Sequence, residues 1–394
     1  MTTEEAGASS NCIGAGTMQL NVSIPIRKST QIDAFGPNVF SMNPSIVRSH
    51  AGYICCVRGV NYDREAIWYS SDWQATNRKE PIRSRNVIVL LDRDLHALSQ
   101  YDLDVSQITS DPRGRSDVQD IRLMAHCGDV LAIGTAVERD FEWSGHRWTG
   151  GLGMRRMFVA TLQGTRLENP VIIDSPCGAA WEKNWVPVSQ GQELALIANI
   201  HTGAKLIGSP IIGFQLKDQA ASYAWTGGWS GSSPFVQFEQ NYIGVLHRKD
   251  GFPEIYTHMF CLLDHNLRPM LRSVPFSFEN KYIEFCCGIT LNEAGDGVII
   301  AYGVNDKAAV VVELGTSDVL RMLTIEVVRP SDLLQVKGNS SIAYEDLLKC
   351  VEGHTNTTRR VLRELNDCLS RVRRGHLPAK RPFSLTFLRD RLKW

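Results

Sequence analysis

Ten side chains suited to binding or transforming a polar substrate lie beside short apolar runs along this 394-residue chain. They comprise three carboxylates, three cations, one amide, one imidazole and two aromatic rings. These residues are Arg58, Asp120, Arg122, Lys183, Asn184, Trp185, His247, Glu284, Tyr302 and Asp306. Paired carboxylates are what glycosidic bond cleavage uses, one protonating the leaving oxygen and the other acting as base or nucleophile. The cations and the imidazole can instead bind a phosphate group, and the aromatic rings offer flat faces to a sugar.

The elements that must position these groups belong to a fivefold repeat. Apolar runs begin at residues 53, 130, 194, 242 and 298, and each is followed by a second run, at 87–91, 157–162, 211–216, 259–263 and 309–314. Two central strands per unit, repeated at irregular spacing, are typical of an all-β, five-bladed β-propeller. A propeller gathers loops from every blade around one funnel. We therefore expect the ten side chains to share a single site.

Three segments follow from this pattern. We predict a flexible lead-in over residues 1–37, a propeller over 38–328 and a helical C-terminal extension over 329–394. Within the extension, apolar residues from Val361 to Val372 recur at helical spacing and arginines occupy the other face. Such a helix can pack against the propeller, or it can bind a partner or a second copy of the chain. A homodimer through this helix is therefore one expectation.

Composition excludes several classes of function. The 42 basic residues balance 42 acidic ones, which gives no field for nucleic acid. No apolar run approaches the roughly 20 residues that span a bilayer. The polar N-terminus lacks the features of a signal peptide, and most cysteines lie in apolar runs without metal-binding spacing. We expect a cytoplasmic protein with reduced thiols, no metal and no cofactor, although inorganic phosphate or a sugar phosphate is a conceivable co-substrate.

In their order along the chain, the polar residues resemble the five-bladed propellers of glycoside hydrolase family 130. That family contains mannoside phosphorylases, related hydrolases and a kindred group of β-1,2-mannosyltransferases. The resemblance covers residues 38–325 and is most specific at 182–187 and 283–288; it is closest to family-130-like modules found alone or attached to bacterial glycosyltransferases. It is carried by Asn43-Pro44, Arg58, Asp120-Ile121-Arg122, Glu182-Lys183-Asn184-Trp185, Gly231-Ser232-Ser233-Pro234, His247 and Tyr302-Gly303-Val304-Asn305-Asp306.

The resemblance implies roles for individual residues. Asp120 corresponds to the general acid, which in the phosphorylases acts through a sugar hydroxyl. Lys183 and His247, together with Arg58, match positions that hold phosphate, and Asp306 matches a sugar-binding carboxylate. The family's motif around the acid reads Glu-Asp-Pro-Arg, whereas Gln119 and Ile121 flank Asp120 in this chain.

Three functions remain open from the sequence. The first is an inverting phosphorylase or a glycosyl-transferring enzyme that acts on a mannoside or a related glycan. The second is a glycoside hydrolase in which Glu284, which is not part of the phosphorylase pattern, is the base. The third is a glycan-binding propeller without activity, because the substitutions on either side of Asp120 would fit a relaxed site. In each case the expected partner is an oligosaccharide or a glycoside.

Overall fold

A computed structural model describes residues 24–62, 84–109, 116–139, 142–143, 148–149, 152–176, 178–200, 203–218, 228–250, 254–279 and 282–327. In chain order its strands are β1 (Ile26–Ile32), β2 (Phe40–Ser49), β3 (Gly52–Val60), β4 (Ser84–Leu91), β5 (Ala97–Asp102), β6 (Ser116–His126), β7 (Asp129–Arg139), β8 (Glu142–Trp143), β9 (Trp148–Thr149), β10 (Leu152–Gln163), β11 (Arg166–Ile173), β12 (Val186–Gln190), β13 (Glu193–Asn199), β14 (Ala204–Ser209), β15 (Gly213–Asp218), β16 (Ser230–Gly231), β17 (Val236–Phe238), β18 (Asn241–Asp250), β19 (Ile255–Leu263), β20 (Pro269–Ser273), β21 (Glu284–Leu291), β22 (Gly297–Val304), β23 (Ala308–Gly315) and β24 (Leu323–Glu326). One helix, α1 (Thr316–Met322), precedes β24.

These strands form five antiparallel blades, which confirms the predicted five-bladed propeller. From the innermost strand outward, the blades are β2-β3-β4-β5, β6-β7-β10-β11, β12-β13-β14-β15, β16/β17-β18-β19-β20 and β21-β22-β23-β1. The small hairpin β8-β9 lies between β7 and β10 in the sequence and forms a separate two-stranded sheet. After the fifth blade, β24 returns to pair with β20 at the outer edge of the fourth.

The two central strands of four blades coincide with the paired apolar runs. They are nearly continuous in apolar residues because both of their faces are covered; all eight residues of β22, for example, are buried. In the third blade the second run was assigned wrongly. The third strand is β14, and Ile211 and Ile212 lie at the tip of the following hairpin with 94% and 82% of their surface exposed.

The ring is closed by the N-terminal segment. β1 pairs antiparallel with β23, with Thr30 opposite Val311, so the first strand of the chain is the outer strand of the last blade. The prediction of a flexible lead-in through residue 37 is therefore wrong for residues 26–32. The predicted helical extension over 329–394, with its apolar stripe, lies outside the described residues.

Hydrophobic packing fills the five spaces between neighbouring blades. Between the first and second blades, for example, Cys56 and Ile88 meet Ala132 and Phe158. Each of the other spaces contains a cluster of the same kind. Among the described residues, no helix is both long enough and apolar enough to cross a membrane.

The inner strands are irregular at the point where they face the funnel. The strand register shifts between Met42 and Ser45 in β2, between Gln119 and Arg122 in β6, and between Cys286 and Gly288 in β21. Such bulges redirect side chains and commonly adjoin functional sites. Here the two bulges in β2 and β6 turn residues of the first two blades toward each other.

Candidate active site

Asp120 lies in the bulge of β6, with a φ of +52°. Asp and Asn tolerate this left-handed conformation better than most residues, and Asn43, in the bulge of β2, also adopts it, with a φ of +43°. The amide Nδ2 of Asn43 donates to Asp120 Oδ1 at 2.9 Å. Arg58 Nη1, from β3, donates to the same oxygen at 2.9 Å. The Asp120 side chain retains 22% of its exposure, so it can be reached from the funnel.

The surroundings of Asp120 favour the ionised carboxylate. Burial acts to raise the pKa of Asp120, but the charge of Arg58, the hydrogen bond from Asn43 and the charge of Arg122 outweigh it and lower that pKa. In the free protein at neutral pH, Asp120 is therefore a carboxylate. Such a group accepts a proton readily, whereas it must first acquire one before it can act as an acid.

Arg58 is committed to this carboxylate and to a second one behind it. Its Nε donates to Ser84 Oγ at 2.9 Å, and Ser84 Oγ donates to Asp117 Oδ2 at 3.0 Å. Gln119 Nε2 also donates to Asp117 Oδ2, at 2.9 Å. Burial opposes the charge of Arg58, yet Asp120 and Asp117 together raise its pKa. Arg58 therefore positions Asp120. This differs from the prediction that Arg58 binds phosphate.

Arg122 joins three blades beneath Asp120. Its side chain is fully buried. Its Nε donates to the carbonyl oxygen of Ser232 at 2.5 Å, Nη1 to the carbonyl oxygen of Asp120 at 3.1 Å, and Nη2 to Asn184 Oδ1 at 3.3 Å. Both Arg122 and Asn184 were expected to bind substrate. Since Arg122 has no exposed surface, it supports the bulge that carries Asp120, and Asn184 is one of its acceptors.

His247 is an uncharged member of the cluster. It is 6% exposed and lies between the ring of Tyr256, stacked at 5.7 Å, and that of Phe285, edge-on at 4.9 Å. Burial, followed by the charges of Arg122 and Lys183, lowers the pKa of His247 to about 3. Among the described residues, its Nδ1 has no hydrogen-bond partner. His247 can therefore contribute a neutral imidazole, but no positive charge for phosphate at neutral pH.

Two cations stand at the open side of the site. Lys183 is exposed, and it makes no ion pair with any described residue. Desolvation of its ammonium group, followed by the nearby charge of Arg155, lowers the pKa of Lys183. Arg155, in β10, likewise lacks a carboxylate partner in the described part of the chain, and its Nε is buried without a hydrogen bond. The negative charge of Asp120 acts on both Arg155 and Lys183 and partly opposes the lowering of their pKa values.

Arg155 was not among the residues predicted from the sequence. The predicted residues flank the inner strands, whereas Arg155 lies at a register shift in the third strand of its blade. The available signal was the pair Arg155-Arg156 directly before the apolar run 157–162. An arginine directly before a buried strand needs an oppositely charged partner or a ligand. Arg155 could therefore have been chosen as a candidate from the sequence alone.

Glu284 is placed where it cannot act as an exposed base. It has no exposed surface, and its two carboxylate oxygens accept the backbone N–H groups of Phe278 at 2.6 Å and Glu279 at 2.9 Å. A carboxylate used in this way anchors a loop. The expectation that Glu284 could activate water for hydrolysis does not agree with this geometry.

The two predicted sugar-stacking rings lie in the core. Trp185 is fully buried and donates from Nε1 to Glu182 Oε2 at 2.9 Å. Tyr302 is 1% exposed; its hydroxyl donates to Glu279 Oε1 at 3.0 Å and its ring stacks on Phe278 at 4.1 Å. Neither ring presents a face to the funnel, so the sequence-based assignment of both as sugar contacts is corrected.

Asp306 lies near Arg58. It is 4% exposed and accepts a hydrogen bond from the Tyr62 hydroxyl at 3.2 Å. Its charge acts on Arg58 together with those of Asp120 and Asp117. The structure therefore brings Arg58, Asp120 and Asp306 into one electrostatic cluster. No group of three or more potential metal ligands occurs in the described part of the chain.

Comparison with known proteins yields similar structures only. No family model matches the chain, and no curated protein matches it. A β-1,2-mannobiose phosphorylase from Listeria innocua is 13% identical, covering 74% of this chain and 95% of its own, with a TM-score of 0.47. A GDP-Man-dependent mannosyltransferase from Leishmania mexicana is 10% identical, with coverages of 77% and 95% and a TM-score of 0.49.

A mannose phosphorylase from Leishmania mexicana, solved with a phosphate ion, is also 10% identical; the coverages are 78% and 93% and the TM-score is 0.45. The five-bladed propeller is shown by the strand order of this chain, and the three similar structures have TM-scores below 0.5. The chemistry of the site has to follow from its own residues.

Proposed function

We propose that this protein makes or breaks a glycosidic bond with phosphate as the other participant, as a glycoside phosphorylase or a sugar-phosphate-dependent glycosyl-transferring enzyme. The observation that carries the proposal is the proximity of one ionised, solvent-accessible carboxylate, Asp120, to two cations, Lys183 and Arg155, that have no carboxylate partner among the described residues. Unpaired cations beside a funnel suit an anionic ligand. The resemblance to the mannoside phosphorylases suggests a mannoside or a related glycan.

Phosphate is favoured over water as the attacking group. Hydrolysis requires a second carboxylate that activates water, and the candidate for that role, Glu284, is buried with both oxygens bonded to backbone N–H groups. A bound phosphate brings its own nucleophilic oxygen and needs no such base. The geometry thus supports phosphorolysis or its reverse.

The ionised form of Asp120 suits the proton transfer that glycoside formation requires. In glycoside formation, an acceptor hydroxyl attacks the anomeric carbon of a sugar 1-phosphate, the bond from that carbon to the phosphate oxygen breaks, and phosphate leaves. The proton of the hydroxyl passes to Asp120, directly or through a sugar hydroxyl. In phosphorolysis the same proton returns to the leaving oxygen, which requires protonated Asp120. Because the pKa of Asp120 is lowered, the resting protein is ready for the first direction.

The test is release of inorganic phosphate from mannose 1-phosphate in the presence of a panel of acceptor sugars. We expect release that depends on the acceptor and is lost in Asp120→Asn. Asp102→Asn, in an exposed ion pair on the outer strand β5, serves as the matched control. If glycans from a broad panel bind but neither glycoside synthesis nor phosphorolysis is detected, the proposal is contradicted and a glycan-binding propeller is favoured.

A further inference from the structure

Trp181 exposes a large aromatic surface beside Arg155 and two positions before Lys183 in the sequence. Its side chain is 58% exposed, and the guanidinium carbon of Arg155 lies 5.2 Å from the centre of its ring. The backbone is fixed on both sides, since Arg155 N–H donates to the Ala180 carbonyl at 3.0 Å and Glu182 N–H donates to the Arg155 carbonyl at 3.1 Å. The ring is therefore held beside β10.

The neighbouring residues show that Trp181 and Lys183 share the open side of this segment. Exposure alternates along it: Trp181 is exposed, Glu182 is half-buried and Lys183 is exposed. Glu182 points inward, where its carboxylate accepts hydrogen bonds from Trp185 Nε1 and from Ser175 Oγ. The aromatic ring of Trp181 and the ammonium group of Lys183, which has no ion-pair partner among the described residues, are thus displayed on the same side of the segment.

Packing does not account for the exposure of Trp181. Trp229 also contacts an arginine, with the guanidinium of Arg248 at 5.4 Å, but it is 5% exposed and belongs to the hydrophobic core. Tryptophan is usually well buried on average. At Trp181 the stacked arginine stiffens and polarises the ring, while more than half of its surface remains available to a ligand.

We propose that Trp181, with Arg155 beside it, forms a platform on which the ring of a phosphorylated sugar stacks while its phosphate binds Arg155 and Lys183. A pyranose presents C–H groups on one face, which suits an aromatic surface, and its phosphate suits the adjacent cations. The inference rests on the proposed function, because it names the ligand class of the same site. It adds a specificity residue that separates a sugar phosphate from inorganic phosphate.

Calorimetric titration of the full chain with mannose 1-phosphate and, separately, with inorganic phosphate tests the platform. For Trp181→Ala we expect mannose 1-phosphate to bind about tenfold more weakly, as for loss of an aromatic stacking contact, and inorganic phosphate to bind as in the wild type. Trp181→Phe should restore most of the loss. Tyr101→Ala, which removes a 49% exposed aromatic residue on β5, is the matched control and should bind both ligands normally.

The contrary outcomes are distinct. Equal weakening of both ligands in Trp181→Ala would show that the ring only holds Arg155, and unchanged binding of both would show that no sugar stacks on it; either result overturns the platform and leaves the proposed function intact. If the wild type binds neither ligand, both the proposed function and the platform are wrong.

Discussion

The two sides of the funnel differ in how completely their charges are satisfied. On one side, Asp120, Asn43, Arg58, Ser84 and Asp117 form a continuous chain of hydrogen bonds, each between 2.9 and 3.0 Å. On the other side, Lys183 and Arg155 have no carboxylate partner in the described part of the chain. Both sides carry charged side chains, but only on the first side are these charges paired with oppositely charged groups of the described residues.

This difference separates positioning from binding. A network in which the charges of Arg58, Asp120 and Asp117 face one another fixes the place and the ionisation of Asp120, so changes within it should affect protein stability as well as chemistry. Unpaired cations contribute little to folding and are available to a ligand. Variants on the two sides should therefore differ in kind: those in the network should change stability and chemistry, and those at Lys183 and Arg155 should change ligand binding.

The largest effect is expected for Asp120→Asn. The amide keeps the shape of the side chain but cannot take up the proton, so the kcat for glycoside formation should fall by about 10³-fold, within the range for loss of an acid–base group. Binding of inorganic phosphate should persist, since removing a negative charge only favours an anion. Steady-state kinetics and phosphate titration measure the two quantities. Turnover within threefold of the wild type would remove Asp120 from the chemistry.

Arg58→Met should lower the free energy of unfolding by about 3 kcal/mol, because it removes the positive charge that faces the half-buried Asp120 and the buried Asp117. The matched control is Arg85→Met, which breaks the Arg85–Asp102 pair, where the side chains are 59% and 64% exposed; its cost should stay below about 1 kcal/mol. Urea denaturation measures both. Equal costs for the two variants would contradict the distinction drawn between a buried and an exposed pair.

The cost of Arg58→Met should also depend on pH. The pKa of Asp120 in the folded protein is lowered, so the ion pair contributes its full stability above the ordinary aspartate pKa of about 3.9 and loses it as pH falls through the lowered value. The gap in unfolding free energy between wild type and variant should be constant from pH 5 to 8 and shrink below about pH 4. If the difference in unfolding free energy between the wild type and Arg58→Met is the same at pH 3 and pH 7, the Arg58–Asp120 ion pair is not the source of that difference.

A smaller, purely structural effect is expected for Glu284→Gln. One of the two backbone N–H groups of Phe278 and Glu279 would then face an amide N–H₂ group, which should cost about 2 kcal/mol of stability. The kcat of the folded variant should stay close to that of the wild type. A loss of kcat above 100-fold at unchanged stability would restore Glu284 as a catalytic base and favour hydrolysis.

The sequence was sufficient to predict the blades because their central strands are buried on both faces and therefore form unbroken apolar runs. The sequence was not sufficient to predict strands that pair with a segment far away in the sequence or strands whose faces are exposed to solvent. β1 is exposed along most of its length and is defined only by its pairing with β23, nearly 280 residues later, as in Thr30 opposite Val311. No local pattern reports such a closure.

At the site, residue type was a better guide than residue orientation. Asp120 and Lys183 both retain exposed surface, but Trp185 was chosen over Trp181 although only Trp181 is exposed. The two differ by four positions, and between them Asn184 adopts a φ of +61°, which breaks the alternation of the backbone. Bulges and left-handed residues of this kind decide which side chains reach the funnel, and they have weak sequence signals.

Binding of inorganic phosphate is the decisive measurement, because Arg155 and Lys183, which have no carboxylate partner in the described part of the chain, are proposed to hold an anion. Calorimetric titration should show binding to the wild type and to Arg85→Met. Each of Arg155→Met and Lys183→Met should weaken it by about tenfold, as for loss of a charge-assisted contact, and the double variant should abolish it without loss of thermal stability. Equal phosphate affinity in the wild type and the double variant would contradict the account.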